Sequence, residues 1–169
     1  MGDFLDDWYA LRRLIVDQDV QAVKSFPHTL NLDMCVNDLP PLIFNALGHS
    51  DRHREMVSYL LEKGARPDRA FSAGNNTPIE CCVKYGYIGC LKELLKAYGE
   101  RYEYNWRHMR KPPYHLVEGY GKSEKDQEII RKILRRYDPE ILQQQEELQK
   151  LSGSIKAKRP PRILRRPKR

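Results

Sequence analysis

Four short segments of the chain carry one hydrophobic signature: Val23-x-x-Phe26, Val57-x-x-Leu60-Leu61, Leu91-x-x-Leu94-Leu95 and Ile130-x-x-Ile133-Leu134. The first three begin at positions 23, 57 and 91, a constant 34 residues apart. A fixed period of this size means one small supersecondary unit used repeatedly, and such a unit buries its apolar face only by stacking on a neighbour. The pattern predicts a short solenoid, an architecture suited to binding rather than to catalysis.

The best copy runs from Asn76 to Gly99. Thr77 is a natural N-cap, and Pro78 suits the first helical turn, where its missing N–H has no intrahelical partner in any case. A helix is predicted from Pro78, with the small residues Cys81 and Cys82 on it. Gly86 then breaks the pattern before Ile88, Leu91, Leu94 and Leu95 resume at helical spacing. Two antiparallel helices joined by a tight turn are expected.

Thr77-Pro78-Ile79-Glu80, then Cys82-Val83, Gly86 and the Leu94-Leu95 pair, resembles the ankyrin-repeat pattern. The preceding copy opens with Pro40-Pro41-Leu42-Ile43 and closes with Leu60-Leu61-Glu62-Lys63-Gly64-Ala65-Arg66-Pro67-Asp68. The following copy keeps Pro112-Pro113-Tyr114-His115-Leu116 and Ile133-Leu134. The resemblance implies an all-α ankyrin solenoid of about four helix-pair repeats with hairpin-like fingers, covering residues 1–138. The repeats are placed at about 5–35, 36–70, 71–104 and 105–138, followed by a C-terminal helix at 139–151 and a flexible basic tail at 152–169. His115 falls at the family's motif histidine, which implies a hydrogen bond between loops rather than catalysis.

Departures from the pattern are concentrated in three places. Extra residues at Gly48–His53 and at Gly119–Asp126 predict stretched loops between the helices of the second and fourth copies. The first copy lacks the Thr-Pro opening, as capping repeats do when their outer faces meet water. Gly119-Tyr120-Gly121-Lys122-Ser123 resembles the end of a phosphate-binding loop, but Leu116 stands where that loop needs glycine and no strand is predicted before it. It reads as a connecting loop.

A chain of 169 residues with 40% apolar residues is long enough for one domain with a continuous core. No apolar run approaches the ~20 residues that span a bilayer, and the acidic opening Met1 to Asp7 is unlike a secretory signal. An intracellular protein, cytoplasmic and/or nuclear, is expected. Cys35, Cys81, Cys82 and Cys90 form no C-x-x-C pair and read as reduced, small packing residues. His49 and His53 are poorly placed to complete a zinc site with them. No cofactor, metal or catalytic residue is predicted, and the chain reads as a non-enzyme.

Charge is uneven. Eight of the 30 bases lie in the tail (Lys156, Lys158, Arg159, Arg162, Arg165, Arg166, Lys168 and Arg169), leaving 22 against 23 acids elsewhere. The tail, broken by Pro160, Pro161 and Pro167, is expected not to pack. It reads as a nuclear-import signal or a contact for nucleic acid or an acidic partner, with a merely solvated terminus as the alternative. Ahead of it, Ile141, Leu148 and Leu151 share one helical face, which either covers the last repeat or docks on a partner.

The ankyrin resemblance implies contact positions just before each Thr-Pro element and just before the mid-repeat glycine. These are Val36, Asn37 and Leu39, then Ala73, Gly74, Asn76, Lys84 and Tyr85, then His108, Met109, Lys111, Gly119 and Tyr120. The segment Tyr102 to Lys111 is rich in aromatic and basic residues, the types enriched at interface hot spots. Trp106, Arg107 and Arg110 are its candidate anchors, the alternative being that Tyr102, Tyr104 and Trp106 plug adjacent loops. The expected function is a protein–protein interaction module, an adaptor or regulatory subunit. The build resembles small ankyrin kinase regulators, which implies a cell-cycle Ser/Thr kinase as partner. The alternative is a nuclear chromatin- or nucleic-acid-associated protein that uses the tail. No membrane or small-molecule substrate is expected.

Overall fold

The computed structural model describes residues 2–27, 30–71, 76–102, 112–119, 122–138, 140–144 and 147–148. These are mostly helical, with no strand among them. Helices α1 (Gly2–Val16) and α2 (Val20–Ser25) form the first pair, and α3 (Leu42–Asn45) and α4 (Asp51–Glu62) the second. The third consists of α5 (Pro78–Tyr85) and α6 (Ile88–Tyr102). A 3-10 turn at Tyr114–Leu116 then precedes α7 (Glu124–Arg135).

From the second pair on, the length of the first helix follows its cap. At α5, Thr77 Oγ1 accepts from the Glu80 N–H at 3.2 Å, while the Glu80 carboxylate accepts from the Thr77 N–H at 2.7 Å. This reciprocal box satisfies two orphan donors, and the helix runs eight residues from its Pro78 start. Pro41 and Pro113 offer no side-chain acceptor to the equivalent donors. There α3 is four residues long, and the last copy has only a 3-10 turn where a helix was expected.

Apart from the six-residue α2, the second helices are long and amphipathic. On α4, Met56, Val57, Leu60 and Leu61 are buried. Its end is a Schellman motif: Gly64 takes the left-handed conformation at φ 105°, Ala65 N–H donates to Leu60 O and Gly64 N–H to Leu61 O. Ser123 caps α7, accepting from the Asp126 N–H at 3.1 Å. Glu124 to Asp126 therefore belong to the helix, and the stretched loop is shorter than the sequence spacing suggested.

Packing repeats along the chain. α2, α4, α6 and α7 contact one another in that order, while α1 lies against α3, and α5 against the 3-10 turn. Every buried apolar residue from Trp8 to Leu134 joins one core cluster, including Ile15, Leu42, Ile43, Leu60, Ile79, Leu91, Leu94 and Ile130. The shared signature at Val23, Val57, Leu91 and Ile130 is buried in every copy. Isolated β-bridges join Val36 to Leu39 and Phe71 to Asn76, between successive pairs. At the first, Asn37 and Asp38 have φ values of 46° and 61°, and Leu39 N–H donates to Val36 O at 2.9 Å. Two consecutive left-handed residues make this a tight primed-type hairpin tip.

Ion pairs cross the surface of the second-helix row: Lys24 with Glu55 at 2.8 Å, and Arg54 with Glu93 at 2.7 Å. Exposed pairs of this kind set alignment more than they add stability. Beyond α7, Asp138 starts the helical turns at 140–144, accepting from Glu140 N–H on its carboxylate and from Leu142 N–H on its carbonyl. Leu148 is 65% exposed. The tail, with Lys156, Lys158, Arg159, Arg162, Arg165, Arg166, Lys168 and Arg169, lies outside the described residues. No described helix is long and apolar enough to cross a membrane.

All four cysteines are free, but only Cys82 and Cys90 are buried packing residues. Cys35 is exposed, in the hairpin connection where it meets no core face, and Cys81 is half-buried. Burial pushes the Cys81 thiol up to about 11 and Cys82 well above its ordinary range. Because the thiolate is the reacting species, a neutral disulfide reagent should modify Cys35 first in the folded chain. Half-buried Cys81, its pKa raised, should react more slowly, and the buried Cys82 and Cys90 only on unfolding. Fast native-state release from all four thiols would contradict this packing.

Candidate functional site

The turn between α5 and α6 is built around Gly86. It adopts φ 76° and donates its N–H to Cys82 O at 2.9 Å, closing the helix. The flanking Tyr85 and Tyr87 rings stack at 5.8 Å with an interplanar angle of 28°. From the preceding turn, His49 meets Tyr87 edge-on at 4.6 Å. Lys84 places its ammonium 5.3 Å from the Tyr85 ring centre. Tyr85 is 44% exposed, so its ring is available beside this cluster.

The following turn is tied to the same place by Lys122. Its ammonium donates to Lys84 O at 2.6 Å and to Leu116 O at 3.2 Å. Partial desolvation lowers its pKa. Its stem runs across Gly86, where a Cβ would lie only 3.1 Å from Lys122 Cγ. Gly86 thus serves both a left-handed turn and a close approach. A cavity of about 290 Å³ opens here, lined by His49, Tyr85, Gly86, Ile88, Gly89, Lys122 and Asp126. The two bonds of this ammonium run to carbonyl oxygens of the fold, Lys84 O and Leu116 O, unlike the phosphate contacts that the loop likeness would imply.

The His49 turn has its own lock. Gly48 is buried, a Cβ on it would fall 2.2 Å from the His53 ring, and its carbonyl accepts from the Cys90 thiol at 3.3 Å. Ser50 caps α4 and contacts His53 Nδ1. Burial, and then the neighbouring His49, lower the His53 pKa below its ordinary 6.5. In the window between those two values the unfolded chain binds a proton that the folded chain resists. The stabilisation is fully present above pH 6.5 and is lost as pH falls through the lowered value. Thermal midpoints measured from about pH 7.5 to about pH 5 should fall, and His53→Gln should make that fall shallower. An unchanged slope in the variant would exclude His53 as its source.

The expected contact positions divide between two regions at opposite ends of the first helices. Tyr85 and Lys84 lie at the C-terminal end of α5, in the cluster just described. Asn37, Leu39 and Asn76 lie on the connections that precede the helices. Asn37 is exposed and donates to Tyr9 OH at 2.9 Å. Leu39 is half-buried against the core, and Val36 is only 4% exposed. Those two side chains support the hairpin, because a tip this tight turns its flanking residues inward. Asn76 is half-buried and pairs its carbonyl with Phe71 N–H at 3.2 Å. Trp106, Arg107, His108, Met109, Arg110, Lys111 and Tyr120, with Ala73 and Gly74, lie outside the described residues. His115 is exposed and makes no side-chain hydrogen bond to another described residue, unlike the inter-loop role its motif position implies. The 3-10 turn displaces it from the capping position that Glu80 occupies.

Several residues that the sequence did not offer as contact positions join these regions. His49, Tyr87, Lys122 and Asp126 surround Tyr85. Near the first hairpin, Tyr9 is 40% exposed, and Arg12 Nε donates to Asn45 Oδ1 at 2.9 Å. The Tyr-Gly-Tyr spacing about Gly86 was a visible signal. The convergence of both stretched loops on it was not. The family pattern gave no correspondence for Tyr9 or Arg12 because the first copy lacks its opening motif.

No family model matches the chain, and no curated protein or solved structure matches it.

Proposed function

We propose that the chain is an ankyrin-type stack of helix pairs that binds another protein, as an adaptor or regulatory subunit without catalytic activity of its own. The observation that carries this reading is the repeated packing order. Second helices follow one another in a row, first helices and bridged connections alternate beside them, and the loops are left to carry specificity. The cluster at Gly86 suits contact. Tyr85, Tyr87, His49 and Lys84 present aromatic and basic groups already fixed by stacking and by the Lys122 tether, so little ordering entropy remains to oppose docking. The partner proposed is a cell-cycle Ser/Thr kinase, on the resemblance to small ankyrin kinase regulators. The segment around Trp106 and Arg110 is proposed as a second contact on its composition, and the basic tail as an import signal.

Affinity capture of the full chain from its native source, with mass spectrometry and kinase assay, tests the reading. A Ser/Thr kinase should be recovered in stoichiometric amount. Tyr85→Ala should lower recovery severalfold, and Trp106→Ala with Arg110→Ala should lower it further. Recovery of no protein in stoichiometric amount would defeat the binding reading. A non-kinase partner would defeat only the regulatory assignment.

A further inference from the structure

Helix α1 is apolar on two sides. Trp8, Leu11 and Ile15 are fully buried and face the core. Five large apolar or aromatic side chains are exposed among the described residues, and three of them lie on α1: Leu5 at 40%, Tyr9 at 40% and Val16 at 51%. At about 100° per residue these three fall within about 40° of one another and well round from the buried side, so they form one line along the helix. Apolar residues scattered singly over a surface need no partner, but a line of three on one element is a patch. A hollow of about 400 Å³ lies beside it, bounded by Tyr9, Ala10, Arg12 and Arg13.

The charges beside the line run from acid to base along the helix. Asp6 and Arg13, both exposed, share one flank of it, about 60 to 80° round the helix axis. Neither forms an ion pair with a described residue. A two-fold rotation that sets a second α1 antiparallel to the first keeps each flank on its own side. With Leu5 opposite Val16 of the second copy, Asp6 comes within about 3 Å, along the axis, of the second copy's Arg13, and Arg13 likewise of its Asp6. Tyr9 of the second copy comes level with Arg12 and the hollow. A parallel copy would instead set each charge level with its own kind.

We infer that the exposed face of α1, with Leu5, Tyr9 and Val16, docks on the same face of a second copy of this chain, antiparallel, with Asp6 and Arg13 fixing the register. The apolar line and its charges are both self-complementary under this rotation, as an isologous interface requires. A helix of fifteen residues is only about 22 Å long. The contact therefore falls at the small end of protein interfaces, and the dimer is weak, with a Kd on the order of 10 µM. This surface is separate from the Gly86 cluster, and the inference does not depend on the partner proposed for that cluster.

Sedimentation velocity of the full chain between about 2 and about 200 µM tests the inference, and the mean sedimentation coefficient should rise from the monomer value to the dimer value across that range. Asp6→Arg and Arg13→Asp, each an exposed change, should each weaken self-association about tenfold or more, because like charges then face each other. Mixed in equal amounts, the two variant chains should associate like the parent chain, since every arginine at these positions then faces an aspartate. Such rescue also shows that the single changes act at the contact and not through folding. Leu5→Ser with Val16→Ser should leave the chain monomeric throughout, and Tyr85→Ala should leave the dimer unchanged. A parent chain that stays monomeric would overturn the inference, as would a dimer untouched by the α1 changes. Failure of the mixed variants to associate would overturn it too.

Discussion

Replacing Leu94 with alanine should lower the unfolding free energy by about 3 kcal/mol, read as a shift of the urea midpoint with circular dichroism as the probe. Leu94 is fully buried, and its helix α6 packs against α4, α5 and α7. Truncation removes transfer free energy and leaves a cavity whose walls belong to long helices that cannot close in without losing other contacts. The effect should spread because α6 lies between α4 and α7 and also holds α5. Weakening α6 loosens the pairs on both sides of it. A loss below about 1 kcal/mol would mean that the site collapses freely or that α6 is not the central element of the row.

Gly48→Ala should cost about 2 kcal/mol, a value in the range for overpacking, although the backbone there is not left-handed. The obstacle is steric: the added Cβ would lie 2.2 Å from His53 Cδ2 and 2.4 Å from Nε2. Relief requires the imidazole to leave its place beside Ser50, or the turn to shift and stretch the Cys90 thiol bond to the Gly48 carbonyl. A double-mutant cycle separates these routes. If the ring is the obstacle, Gly48→Ala placed in a His53→Ala background should cost less than about 0.5 kcal/mol. Persistence of the full cost without the imidazole would place the constraint in the backbone instead. The same cycle reports on the proposed contact surface, because His49, the next residue, holds its edge against Tyr87.

The hydrophobic period and the capping residues carried most of the helical layout. Val57, Leu60 and Leu61, and equally Leu91, Leu94 and Leu95, are buried where helical spacing placed them, because a 3.6-residue repeat commits one side of a helix to the core. Thr77, Pro78 and Glu80 form the capping box their order suggests. The misplaced features share one cause: a local motif was read without its hydrogen-bond partner. Pro41 and Pro113 look like Pro78, but neither follows a residue that can cap, so α3 is short and the last opening is a 3-10 turn. Leu39 looked like a free position beside a turn, and the tightness of the hairpin set it against the core.

By itself, the sequence determined where the long helices run, the α5 cap and which of their residues face inward. These are decided by spacing and by groups within four residues of one another, where the chain's own geometry leaves little choice. Only the tertiary structure decided that His49, Tyr85, Tyr87 and Lys122, spread over more than seventy positions, gather around Gly86. It also decided that Lys24 and Arg54 find acids on the next helix of the row. Contacts of this kind depend on how far each loop reaches and on which helix lies alongside, and no periodicity along the chain encodes either.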